Sequence, residues 1–206
     1  PRPRHGDQLA TRRLPLSGMP DPVRCPWCGN DPLYCRYHDE EWGVPQRDGR
    51  ALFEKLCLEG MQAGLSWITI LRRRDDLRIA FDGFEPAQLA TWTDEDRLAV
   101  LDRPGVIRHR GKIEAVCGNA RAVIKEFDDL GTFSTFIWSF APPAKARRDR
   151  PATPSDLATE TVESRRLAKA LKARGFRFIG PVSAHAFMQS MGLIDDHLVG
   201  CHRARS

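Results

Sequence analysis

The chain has 206 residues, 41% hydrophobic and 29% charged, with 32 Lys and Arg against 27 Asp and Glu for a net charge of +5. That length fits one domain, with at most an appended subdomain, and suffices to bury a core. No apolar run approaches a membrane span and no charged segment followed by an apolar one marks a secretory signal, so no membrane association and a cytoplasmic location are expected, with a polyanion the natural partner of a basic chain.

In chain order, residues 1–23 carry five prolines among scattered arginines and are expected to form a disordered basic leader, with Met19 a candidate natural start. Asp48 caps a helix over about 49–62, with Leu52, Phe53 and Leu56 on one face and Glu59 in its C-terminal turn. Ser66 is expected to cap another, in which Trp67, Ile70 and Leu71 face inward while Arg72, Arg73 and Arg74 point outward. Pro86 opens a short helix, and Thr93 with Asp96 forms a variant capping box ahead of a helix through Leu101. Pro104-Gly105 breaks it. From about Arg108 to Phe127, the spacing of Ile113, Val116, Cys117, Ala120, Val123, Ile124 and Phe127 predicts the longest helix. A short helix over 132–140 and an exposed connection over 141–158 follow. An amphipathic helix from Thr161 to Arg174 stops at Gly175, and a last one runs from Ser183 to about Met191. Strand character is confined to Phe176–Ile179, so the fold is read as all-α, without internal repeats.

Two strings carry chemistry. In Cys57-Leu58-Glu59-Gly60-Met61-Gln62-Ala63-Gly64-Leu65-Ser66-Trp67, a carboxylate stands among glycines and apolar residues. A buried carboxylate is costly without a partner, which for Glu59 is either an internal arginine or backbone amide, or a cationic ligand. The second string, Asp31-Pro32-Leu33-Tyr34-Cys35-Arg36-Tyr37-His38-Asp39-Glu40-Glu41-Trp42-Gly43-Val44-Pro45, is dense in aromatic rings. Together they resemble the 3-methyladenine DNA glycosylase I family, over about Arg24 to Cys201. The resemblance implies a helix-hairpin-helix DNA glycosylase fold with a zinc-stapled subdomain joining the chain ends. It divides the chain into the leader 1–23, one glycosylase domain over 24–201 and a tail over 202–206. Within the domain, 24–47 and 160–201 form the zinc-linked part, and 48–140 the helical part with its hairpin at 102–112.

The activity implied is monofunctional base excision: flipping of N3-methyladenine from alkylated double-stranded DNA by a monomer, and hydrolysis of its glycosidic bond by water. A base methylated at N3 is cationic while attached to the sugar, and cations are drawn to aromatic faces and carboxylates. Glu59 is therefore the expected catalytic and recognition residue, Trp67 the stacking partner and Tyr37 the second polar contact, with Trp27, Trp42, Tyr34 and Gln62 as further candidates. Two or three of the five aromatics are expected to be core packing instead. Leu65 is the expected wedge into the gap left by the base. Asp128 and Asp129 receive no role and are expected to be solvent-exposed.

The segment from Asp102 to Lys112 resembles the helix-hairpin-helix element, in which a glycine hairpin and the next helix N-terminus favour a phosphate; Gly105, Arg108, Arg110 and Lys112 are its candidates here. Ile107 stands where many such hairpins have a second glycine, and Pro-Gly between helices is also an ordinary turn. The six cysteines, at 25, 28, 35, 57, 117 and 201, are expected to be reduced or on metal. His197 and Cys201 are four residues apart, on one face if helical. The resemblance assigns one structural zinc to Cys25, His38, His197 and Cys201, while Cys25-x-x-Cys28 with His202 offers a competing set. Two other functional classes remain open from sequence: a non-catalytic zinc-stapled DNA-binding module, and a broader alkylpurine glycosylase in the same fold.

Overall fold

The computed structural model describes residues 21–143 and 149–204; the expected leader lies almost wholly outside these residues, as does the end of the tail. All regular structure among them is helical. Helix α1 spans Pro32–Glu40, α2 Gly49–Gln62, α3 Trp67–Leu71, α4 Arg74–Ala80 and α5 Pro86–Leu89. Then come α6 over Asp94–Ala99, α7 over Arg110–Glu126, α8 over Leu130–Trp138, α9 over Val162–Ala173 and α10 over Pro181–Ser190.

Side chains placed at the helix starts account for most of these bounds. Asp48 accepts from the Ala51 amide at 2.7 Å, opening α2 where expected. Thr93 with Asp96, and Thr161 with Ser164, close reciprocal capping boxes on α6 and α9. Asp129 is exposed, as expected, yet it accepts from the Thr132 amide at 2.7 Å and so starts α8 two residues early. Pro181, whose fixed φ suits a first helical position, likewise starts α10 ahead of Ser183.

Other elements depart from the sequence reading. Asp31 accepts from the Leu33 and Tyr34 amides and Pro32 follows it, so the aromatic string folds as α1. Arg74 does not simply point outward; it opens α4 and turns both guanidinium nitrogens to Glu41, one at 2.8 Å. Residues 176–179 form no strand, because the Asn119 carboxamide takes both backbone groups of Arg177, accepting from its N–H at 2.8 Å and donating to its carbonyl at 3.3 Å.

Helix α2 is the axis of the molecule. It packs against α3, α7, α8 and α10, and Leu52, Phe53, Leu56, Leu58 and Met61 are all at most 2% exposed. A helix covered on all sides must bury its polar residues too, which is why Glu54, Lys55 and Glu59 lie inside. A second, smaller core gathers Cys25, Tyr37, Trp42, Leu71, Leu198 and Cys201, joining the two ends of the described chain.

Candidate active site and metal centre

Glu59 sits one turn beyond Lys55 on α2, and its carboxylate meets the Lys55 ammonium at 2.9 Å with both side chains under 8% exposed. Its internal partner is thus neither an arginine nor a backbone amide. The same ammonium donates to the Tyr37 hydroxyl at 3.0 Å and lies 3.1 Å from the centroid of the Trp67 ring, on the face of the indole. Burial draws the Lys55 pKa down to about 8, although the Glu59 charge pulls the other way. Burial, with Glu59 adding to it, holds the Tyr37 phenol well above its ordinary value, so it stays neutral. Three elements converge here: α1 supplies Tyr37, α2 Lys55 and Glu59, and α3 Trp67. The Trp67 indole N–H is buried without an acceptor.

The remaining sequence candidates divide. Tyr34 stacks over Tyr37 at 6.4 Å and meets Trp27 edge-on at 4.9 Å. Trp27 and Trp42 lie against the His38 ring at 5.3 and 6.3 Å, and Trp42 meets His197 edge-on at 4.6 Å. Their contacts with these imidazoles make Trp27 and Trp42 the packing of the cysteine and histidine cluster described below. Gln62 donates to the Leu65 carbonyl at 2.9 Å, bracing the turn that ends α2. Leu65, at the tip of that turn, is 37% exposed.

In the hairpin segment Gly105 has φ 73°, and a Cβ there would fall 2.3 Å from the Asp76 Cβ, so backbone conformation and close packing both require glycine. Arg108 and Arg110 are exposed, the latter pairing with Glu114 at 2.8 Å. Lys112 does not join them. It is 7% exposed and its ammonium donates to the carbonyls of Met61 and Ala63 at 2.9 and 2.6 Å, closing the C-terminus of α2. The Lys112 backbone amide is taken by the His109 imidazole at 3.2 Å, so α7 caps itself.

Around His38, which follows Tyr37 on α1, the residues Cys25, His38, His197 and Cys201 bring four ligand atoms within 4.8 Å of one another. Cys201 Sγ lies 3.4 Å from His38 Nε2 and 3.5 Å from His197 Nδ1, and Cys25 Sγ lies 3.7 Å from His197 Nδ1. Tetrahedral bonds of roughly 2.3 Å to sulfur and 2.0 Å to nitrogen give edges of about 3.5 Å, so these separations fit one metal ion. The outward ring nitrogens are also provided for. His38 Nδ1 faces Asp39 at 2.8 Å, itself gripped by Arg24, and His197 Nε2 faces the Trp42 carbonyl at 3.2 Å. Each arrangement leaves the other nitrogen's lone pair turned into the cluster. Gly43, at φ 78°, lets the backbone pass there, since a Cβ would meet His197 Nε2 at 2.8 Å. Burial pushes the Cys25 thiol up to about 12 and His197 down to about 4, so a dication binding here would release the Cys25 thiol proton. Cys28 turns its thiol to the Cys25 carbonyl at 3.2 Å, outside this set. His202 belongs to a second group, with His38 and Asp39.

The residue missed by sequence reasoning is Lys55. Its signal was present in the i, i+4 spacing of Lys55 and Glu59 on one helix, which sets the two side chains side by side.

Residues 27–204 match the family model described as methyladenine glycosylase. The chain is 47% identical over 178 residues to DNA-3-methyladenine glycosylase 1 of Escherichia coli K12, covering 86% of this chain and 95% of that protein. It is 50% identical over 179 residues to the DNA-3-methyladenine glycosylase of Haemophilus influenzae, covering 87% and 96%. Among solved structures, a crystal structure of 3-methyladenine DNA glycosylase I superposes with a TM-score of 0.84 at 46% identity, covering 89% of this chain and all of that one. The Staphylococcus aureus enzyme, solved for the structural basis of 3-methyladenine recognition, gives 0.83 at 37% identity, covering 89% and 97%.

Proposed function

Because the chain belongs to the methyladenine glycosylase family, we propose that it excises N3-methyladenine from alkylated double-stranded DNA as a monofunctional base-excision repair glycosylase, acting as a monomer in the cytoplasm. The observation that carries this reading is the cation already seated between the Glu59 carboxylate and the Trp67 face. A site that holds an ammonium in this way offers a cationic purine the same two attractions. A DNA-binding module without catalysis is less favoured, since the chain matches proteins named DNA-3-methyladenine glycosylases over 95% and 96% of their length.

The reaction follows from the chemistry of the substrate. The nucleotide is flipped out of the stack, and Leu65, exposed on the turn after α2, fills the gap. Trp67 stacks on the extruded ring, Glu59 accepts hydrogen bonds from its edge, and the neutral Tyr37 hydroxyl gives a second polar contact. The positive charge on the base makes it a good leaving group, so water attacks C1′ without a strong acid. Lys55 is not assigned the role of nucleophile: with its pKa near 8 and its ammonium paired with Glu59, it is mostly protonated at neutral pH and lacks a free lone pair. Arg108 and Arg110 face solvent next to the Gly105 turn and are the proposed phosphate contacts; Lys112 supports that surface from within.

Two thiolates and two imidazoles suit zinc, and Cys25, His38, His197 and Cys201 would hold it. With four protein ligands and no open position, such an ion supplies structure rather than an activated water. Among the described residues no helix is long and apolar enough to cross a membrane. The direct test is release of free base from methylated duplex DNA, resolved by chromatography. Strong release of 3-methyladenine with poor release of 7-methylguanine is expected; equal release of both would favour a broader alkylpurine glycosylase.

A further inference from the structure

Lys55 is the one buried cation of this site that the reaction, as derived above, does not use. Its ammonium fills the position that a flipped base requires. It is 2.9 Å from Glu59, 3.0 Å from the Tyr37 hydroxyl, 3.1 Å from the Trp67 centroid and 5.2 Å from the Tyr37 centroid. An aromatic base stacked on that indole face needs ring-to-ring spacing, and an ammonium 3.1 Å above the centroid occupies that space. Glu59 cannot offer the same lone pair to the ammonium and to a base edge. Three of the groups assigned to base recognition are therefore engaged by one internal residue.

Resting on the reading of this pocket as the base site, we propose that Lys55 is a displaceable internal cation, a specificity-determining residue that leaves Glu59 and Trp67 whenever a base is seated. The structure provides a place for it to go. A cavity of about 330 Å³ adjoins the site, lined by Lys55, Tyr37 and Trp67 and by Glu40, Glu41 and Glu54, of which Glu41 is already paired with Arg74 and Glu54 with Arg50 and Arg78. The lysine stem is long and unbranched, so rotation about its side-chain bonds carries the ammonium off the indole face into that cavity, where Glu40 adds an exposed carboxylate, without moving α2.

Displacement makes the site selective. When the ammonium departs, Glu59 is left as a buried carboxylate and the indole face loses its cation, a costly state unless the incoming group restores both interactions. A base carrying positive charge does so, and a neutral purine does not. Lys55 thus works against ordinary bases that sample the pocket, and the cost of moving it is recovered only with a cationic ring.

Two measurements on the full-length protein test this. Lysine labelled with carbon-13 at Cε reports the position of Lys55 directly, because protons above an indole face are shifted upfield by its ring current; the Lys55→Arg variant identifies the resonance by its disappearance. The Lys55 signal is expected upfield in the free protein and near the ordinary lysine position once 3,9-dimethyladenine, which keeps the positive charge of the methylated nucleotide, saturates the site, with saturation followed by tryptophan fluorescence. A signal that stays upfield in the saturated protein overturns the proposal while leaving the base site intact. No fluorescence response to this cation overturns the base site itself, and the proposal with it. Lys55→Met should bind the same cation at least about tenfold more tightly, since displaced minor states of this kind are typically ~0.1–10% populated and their scarcity lowers the apparent affinity in proportion. Equal or weaker binding by a folded Lys55→Met protein would mean that the lysine stays and orients Glu59. If that variant does not fold, the wild-type resonance decides.

Discussion

Replacing Glu59 by Gln removes the charge beside Lys55 while keeping an acceptor oxygen in nearly the same place, and the cost is bounded by what the lysine can do. With the Lys55 pKa at about 8, its neutral form lies about 1.4 kcal/mol above the charged form at pH 7 and about 2.7 kcal/mol above it at pH 6. The substitution raises the charged form but leaves the neutral amine almost untouched, so the variant loses no more than roughly these amounts before the lysine sheds its proton. For a protein of this length, that is a fall in Tm of about 3–6 °C at pH 7 and about twice that at pH 6. The sign follows from proton counting. The unfolded lysine keeps its proton up to its ordinary value of 10.5; folded wild type keeps it to about 8, and the folded variant only to a lower pH. Between the variant's value and about 8, unfolding the variant takes up a proton and unfolding wild type does not, so the variant gains stability as pH rises while wild type stays level. Thermal unfolding of both proteins at pH 6, 7, 8 and 9 should show a deficit that shrinks upward and nearly closes by pH 8–9. A deficit independent of pH in that range would refute the placement of Lys55 as a buried ammonium paired with Glu59. Titration of the same variant with free 3-methyladenine, followed by tryptophan fluorescence, should show weakened binding.

The other expectations are separable from this one. Trp67→Ala should lower 3-methyladenine affinity by about 1–3 kcal/mol, the range for stacking of a base on an aromatic side chain, read by calorimetric titration because the fluorescent reporter is lost. Metal analysis should find about one zinc per chain, and Cys201→Ala should lose it, so that a chelator lowers the Tm of wild type but not of the variant. Arg108→Ala and Arg110→Ala should weaken binding to duplexes of different sequence about equally and each flatten the salt dependence by about one unit of slope. Lys112→Ala should instead act on stability, because its ammonium caps α2 and does not reach solvent; an unchanged urea midpoint would contradict that placement.

Local signals carried most of the fold. Asp48, Thr93 and Thr161 mark helix starts because capping is an interaction within four residues, and the spacing from Ile113 to Phe127 marks α7 because one face of it is buried. Where a tertiary partner decides, the same reasoning falls short. Arg74 has the look of a solvent arginine until Glu41, thirty-three positions away, is beside it. The residues 176–179 have strand composition, yet the Asn119 side chain takes the backbone groups a strand would need. Lys112 was grouped with Arg108 and Arg110 by proximity in sequence, but it stands on the inner face of α7, where the open carbonyls at the end of α2 draw it in. In the pocket around Lys55, Glu59 could be singled out as a carboxylate in apolar company. Its geometry could not, because the indole that sandwiches the cation comes from α3 and the phenol from α1.

The two polar centres are joined through α1, where Tyr37 and His38 are adjacent and leave the helix in different directions. Tyr37 turns to the Lys55 ammonium and His38 to the cysteine thiols. Neither residue can shift along α1 without carrying the other, since a helix translates as a unit of fixed rise per residue. The cluster formed by Cys25, His38, His197 and Cys201 thereby does more than tie the chain ends. Through His38 it sets the height and rotation of α1, and through these the position of the Tyr37 hydroxyl against the pocket floor. Trp42, lying against both histidine rings, and Trp27, wedged between Trp42 and Tyr34, fill the space between the two centres. That packing explains why the chain spends so many aromatic rings within one short string when only Trp67 and Tyr37 touch the buried cation. The rest stiffen the connection between the cysteine and histidine cluster and the Tyr37 hydroxyl.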